Sequence, residues 1–159
     1  MDSPALLGLF NKLNKERFYY VTNRRNRMKQ PAEIPSNEFF IDFITQYGHA
    51  FDNYDLQTIL NTYHTPCFIF KDGTLFANLT EETKLLYFQD LLESYRKQEY
   101  ASAEIPHFDI KVMGQDSALV TVEWICKRSD GTIAFEFWDA YHLIRIDGNW
   151  KILGDTVYE

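Results

Sequence analysis

Cysteine is scarce in this chain of 159 residues. Cys67 and Cys126 stand too far apart for a metal-binding spacing and allow at most one disulfide. Both are therefore expected to be reduced and packed as small hydrophobes. No apolar run approaches the about 18 residues that span a bilayer, and no secretory-type apolar segment opens the sequence. The expected location is accordingly cytoplasmic, with organelle targeting by the basic N-terminus left open. Gly-rich phosphate loops, nucleophile elbows and Cys–His arrangements are absent, as are repeats and low-complexity stretches. Four scattered histidines form no i, i+4 pair, so neither a metal site nor a cofactor is expected. The net charge is −7, and a basic face is missing from the body of the chain, which argues against nucleic-acid binding.

Aromatic side chains are what the sequence has in quantity. Thirteen Phe, ten Tyr and three Trp make up 16% of the residues, within a hydrophobic share of 45%. One domain of this length buries its own core, and the aromatic excess suits a core and a ligand cavity equally well.

Charge divides the chain in two. Residues 1–35 carry seven Lys/Arg against three acids, a balance of +4 that leaves −11 for the remainder. They read as a basic N-terminal extension: a flexible tail, a targeting or membrane-contacting segment, or a strap on a partner. From Ser36 onward the pattern is that of a folded domain, residues 36–159. Phe39, Phe40, Phe43, Ile44, Tyr47 and Phe51 recur at helical spacing. Leu56, Ile59, Leu60 and Tyr63 mark a short second helix after Asp55. Thr80 caps a third, running to about Gln98, with Leu85, Leu86, Phe88, Leu91, Leu92 and Tyr95 directed inward. Asp72-Gly73 joins a hairpin of Cys67–Phe70 with Thr74–Ala77. Four strand-like runs follow at Phe108–Met113, Ala118–Lys127, Ile133–Ile146 and Trp150–Val157. The expected class is α+β, with three N-terminal helices packed on a curved antiparallel sheet.

Two Asp-Gly turns set the expected register. A two-residue loop at Asp130-Gly131 puts Ser129 opposite Thr132, Cys126 opposite Phe135, Trp124 opposite Phe137, Val122 opposite Asp139 and Val120 opposite Tyr141. The same treatment of Asp147-Gly148 puts Arg145 opposite Trp150, Leu143 opposite Ile152 and Asp139 opposite Thr156. Because side chains alternate with period two, Asp139 then falls in the middle of an otherwise apolar face. A carboxyl group there is either a structural tie to Tyr, His or backbone donors, or a pocket acid–base whose apolar walls raise its pKa. A slipped register would instead turn it outward.

The order of elements, with the segments EFFIDFITQYGHAFDNYDLQTILNTYHTPCFIF and FWDAYHLIRIDGNWKILGD, resembles the SnoaL-like domains of the nuclear-transport-factor-2-like superfamily. The resemblance covers residues 36–159. It implies a sheet wrapped around the first helix as a cone, with an internal pocket at the open end. Metal-free acid–base chemistry on a small apolar molecule would be one use of such a pocket, in an isomerase, dehydratase or cyclase. A ligand carrier or a protein-interaction module would be others. Asp139 would be the proton-transfer group and Tyr47 an orienting donor, an arrangement similar to that of the ketosteroid isomerases. His107 would be a second acid–base, similar in place to a His of the scytalone-dehydratase type, whose second His is replaced here by the stretch Val120–Trp124. Trp124, Tyr141, Tyr63, Phe88, Val122 and Phe137 would form the pocket wall. Dimers through the outer sheet face are common among such proteins, and Trp138 and Ile125 would suit that contact.

Overall fold

The structure, a computed structural model, describes residues 33–159. Nearly all of the basic extension therefore lies outside the described residues. Helix α1 spans Asn37–Asp52, α2 spans Leu56–Thr62 and α3 spans Glu81–Lys97. Six strands complete the fold: β1 Tyr63–Lys71, β2 Thr74–Asn78, β3 Tyr100–Val112, β4 Ser117–Arg128, β5 Ile133–Ile146 and β6 Asn149–Tyr158. They form one curved sheet in the order β2-β1-β6-β5-β4-β3. All neighbours are antiparallel except β1 and β6, which run parallel, so the sheet is mixed.

Each helix starts where local chemistry satisfies its free N–H groups. Asp55 accepts from the Thr58 amide at 3.1 Å and the Thr58 hydroxyl at 2.6 Å to open α2. Thr80 and Thr83 form a reciprocal capping box at the head of α3, where Glu81 and Glu82 also face the positive end of the helix dipole. Helix α1 buries Phe40, Ile44, Tyr47, Gly48 and Phe51 along one stripe. Helix α3 is rotated slightly from expectation. Lys84, Phe88 and Leu92 are buried at four-residue spacing, while Leu86 points to solvent. The buried Lys84 ammonium is matched by Glu81 at 3.0 Å and the Tyr63 carbonyl at 3.5 Å.

Three boundaries differ from the sequence expectation. Tyr63 opens β1 rather than closing the second helix. Strand β3 begins at Tyr100, eight residues earlier than expected, because Pro106 sits at a register shift between Glu104 and His107 and interrupts the alternation. The turn after β4 is one residue longer, with Arg128 N–H bonded to the Thr132 carbonyl at 2.9 Å. An extra residue at Ala134 restores the ladder, so Cys126, Trp124, Val122 and Val120 do oppose Phe135, Phe137, Asp139 and Tyr141.

The decisive irregularity is on β6. Arg145 and Leu143 oppose Trp150 and Ile152 as expected, but His142 then opposes Gly154, which leaves Leu153 as a bulge. Asp139 therefore opposes Val157 and not Thr156. Tyr141 opposes Asp155, and this second aspartate turns to the inner face.

Candidate functional site

Between the helices and the inner sheet face lies a cavity of about 250 Å³. Helix α1 contributes Tyr47, β1 Tyr63, α3 Phe88 and Tyr95, β4 Trp124, β5 Phe137, Asp139 and Tyr141, and β6 Asp155. The cavity thus draws on every layer of the fold, and apolar rings make most of its wall.

Its polar groups form two short chains. The Tyr63 hydroxyl donates to Asp155 Oδ2 in a short contact. Tyr47 and Tyr63 hydroxyls are 3.2 Å apart, and because Tyr63 directs its proton to the carboxylate, Tyr47 is the donor of that pair. Trp124 Nε1–H donates to the Tyr141 hydroxyl at 3.0 Å. By contrast, Oδ1 of Asp139 and Oδ1 of Asp155 are both buried without a hydrogen-bond partner. Asp139 is 4% and Asp155 9% exposed, so both carboxyl groups lie inside the fold, against the cavity.

Burial disfavours the charged form of both groups. It pushes Asp139 well above the usual carboxylate range, and the nearby Asp155 carboxylate adds to the effect. The Tyr141 hydroxyl, the Ala140 amide and the Lys71 ammonium pull the other way without cancelling it. Burial raises Asp155 to about 7, against the opposing bond from Tyr63. Two carboxyl groups in one low-dielectric site titrate as a pair. Tyr47, Tyr63, Tyr95 and Tyr141 are raised well above the normal phenol value, first by burial, and stay neutral donors. The thiols of Cys67 and Cys126 are free, and burial lifts them to about 11 and about 12, so neither is poised as a nucleophile.

Of the residues singled out by sequence, Asp139, Tyr47, Trp124, Tyr141, Tyr63, Phe88 and Phe137 come together around the cavity. Two do not. Val122 is fully buried beneath the lining, on the inner face but out of reach of an occupant. His107 pairs with Glu123 in the register, which puts it on the outer face, where its exposed ring lies 5.3 Å from Trp138. The register shift at Pro106 could not be read from spacing, and it decides that orientation. Tyr47 also takes a different partner from the one expected: it bonds Tyr63, and through it Asp155, instead of Asp139.

Asp155 is the residue that sequence reasoning missed. Its signal was Gly154. A glycine inside a strand marks a bulge or a close backbone approach, and a Cβ on Gly154 would lie 2.4 Å from the Phe68 carbonyl oxygen. Asp52 was missed too. It accepts from the Tyr100 hydroxyl at 2.5 Å and the Ala103 amide at 3.1 Å, tying the end of α1 to β3. Among the described residues, no three His, Cys, Asp or Glu side chains are grouped to hold a metal ion. Among them, too, no helix is long and apolar enough to cross a membrane.

Helices laid into a curved six-stranded sheet around an internal cavity define the cone fold of nuclear-transport-factor-2-like proteins. The chain belongs to the family described as NTF2-like protein (DUF6841), whose profile matches residues 36–159. Solved structures agree on the fold. A cystatin-like protein from Nostoc punctiforme PCC 73102 superposes with a TM-score of 0.65 at 12% identity, over 79% of this chain and 92% of that one. An NTF2-like protein from Cytophaga hutchinsonii ATCC 33406 gives 0.60 at 17% identity, over 79% and 98%. Aln2 from a Streptomyces species gives 0.62 at 11% identity, over 80% and 94%. No curated protein matches the chain. Likeness at such identities carries the fold and no activity.

Proposed function

We propose that this protein binds a small, largely apolar molecule in the cone and performs acid–base chemistry on it without a cofactor, as an isomerase, dehydratase or cyclase does. One observation carries the reading: two carboxyl groups sunk in an aromatic cavity, each with an oxygen that no protein group satisfies. Such a group costs several kcal/mol in a purely structural core, and a raised pKa near neutrality is what a general acid–base needs. Asp139, in the middle of the apolar face and raised by burial, is the donor and acceptor of the proton. Tyr47 acts through Tyr63 to hold Asp155 in place. Trp124, Tyr141, Phe88 and Phe137 grip the apolar body. His107 has no part, since it faces away.

The test is a screen of wild-type protein against small cyclic carbonyl and hydroxyl compounds. For any compound turned over, Asp139→Asn is expected to lower kcat by about 10²–10⁴ while Kd changes by less than a few-fold. An unchanged kcat would remove Asp139 from the chemistry.

The absence of His107 from the cavity favours a second reading, a non-catalytic carrier with the same pocket. It differs in expecting ligand binding with no turnover in wild type, and a change in affinity alone on Asp139→Asn.

A further inference from the structure

The charges around the cavity are lopsided. Of the acidic residues along it, Glu136 turns its side chain to the outer face between Phe135 and Phe137, which leaves Asp72, Asp139, Asp155 and Glu159 against one basic residue, Lys71. Lys71 is exposed at the rim, and the buried Lys84 is already engaged by Glu81 and the Tyr63 carbonyl. At the floor, the free oxygens of Asp139 and Asp155 have accepting capacity and no donor. The wall between rim and floor is built of Tyr, Phe and Trp rings, whose faces attract cations.

We infer that the occupant of this cavity is a small organic cation, an apolar body bearing one protonated amine, whose nitrogen donates to the free oxygens of Asp139 and Asp155. The inference rests on the proposed reading of the cavity as a small-molecule site and names the class of molecule it takes. An ammonium supplies up to three donors and a positive charge, which is what two unpartnered carboxyl oxygens require. Acidic side chains at the rim and low-dielectric walls focus the field inward and favour entry of a cation over a neutral or anionic molecule. Size narrows the class further. An apolar cavity of about 150 Å³ accommodates benzene, so about 250 Å³ takes one ring and a short arm.

Binding of such a cation displaces protons from the aspartate pair. The titratable groups facing that pair are Tyr47 from α1, Tyr63, Cys67 and Lys71 from β1, Tyr87 and Tyr95 from α3, and Tyr141 from β5. The phenols and the thiol remain protonated across the neutral range, since burial raises each of them. Protons released on binding near neutral pH therefore come from Asp139 and Asp155.

The experiment is isothermal titration calorimetry of the full chain with three matched series: benzyl, 2-phenylethyl and 3-phenylpropyl compounds, each as amine, alcohol and carboxylic acid. In at least one series the amine is expected to bind about ten- to a hundredfold tighter than the alcohol, and the acid not to bind. Titration in buffers of different ionisation enthalpy should show proton release by the amine and none by the alcohol. Asp155→Asn should abolish most of the amine's advantage over the alcohol. An alcohol that equals or exceeds its amine in every series that binds overturns the cation inference and leaves the pocket reading intact. No binding in any series overturns both.

Discussion

Asp139 and Asp155 bind protons more tightly in the folded chain than in the unfolded one, and that difference has a sign in the stability curve. Burial raises both groups above the ordinary value of about 4, Asp155 to about 7 and Asp139 above the usual range. Between those limits the native state holds more protons than the unfolded state, so stability is full below about pH 4 and falls as pH rises toward and past neutrality. The exposed carboxyls of Asp55 and Asp130 shift the other way through local hydrogen bonds and oppose this trend only below about pH 4. Asp155→Asn should therefore stabilise the protein by on the order of 2 kcal/mol at about pH 8 and by little at about pH 4. Thermal melts of wild type and variant across that range check it, and parallel curves would contradict it. Asp139 was legible in the sequence because the count from the first turn still holds once Ala134 offsets the longer loop, and a single carboxyl stood out on an apolar face. Its partner was not, because strict alternation from Ile152 sends Asp155 outward and only the bulge at Leu153 turns it in.

At the scale of elements, the site depends on two close approaches that glycine permits. Gly154 lets β6 lie against β1, and its missing Cβ would meet a backbone oxygen, Phe68 O, that cannot move without parting the strands. Gly154→Ala should cost about 2–4 kcal/mol and return Asp155 toward an ordinary carboxylate titration; denaturant melts with carboxyl NMR read both. Gly48 in α1 faces the Trp124 ring, where a Cβ would stand 2.8 Å from Cη2. That neighbour is a side chain, so Gly48→Ala should cost less, about 1–3 kcal/mol. It should shift Trp124, break its bond to Tyr141 and weaken ligand binding. An unchanged Trp fluorescence spectrum and unchanged affinity would argue against Trp124 as a wall of the site. The elements themselves were mostly legible, since helical spacing, caps and Asp-Gly turns are local. What stayed hidden was non-local: Tyr63 at the entry to β1, the parallel pairing of β1 with β6, and the register of β3 beyond Pro106.

For the whole molecule, the family pattern in residues 36–159 was readable because the aromatic spacing of the first helix and the closing hairpin are local features of the sequence. The assembly was not, and a homodimer through the outer sheet face remains our proposal. Trp138 supports it: half-buried on that face, its ring lies between His107 at 5.3 Å and Tyr158 at 6.4 Å, on a face that also exposes Leu119, Phe68 and Phe70. Sedimentation analysis should find a dimer for wild type and a monomer of unchanged melting temperature for Trp138→Glu. A monomeric wild type at high micromolar concentration would end that proposal.

The two buried carboxyl groups are the centre of the proposed chemistry. Carbon-13 NMR titration of the aspartate carboxyls, assigned with Asp139→Asn and Asp155→Asn, tests it most directly. Both carboxyls should titrate well above the ordinary aspartate range, Asp155 at about 7. Both titrating near about 4, the value of an unperturbed aspartate, would mean that protein donors hold them as ordinary structural carboxylates, and the cavity would lose its acid–base centre.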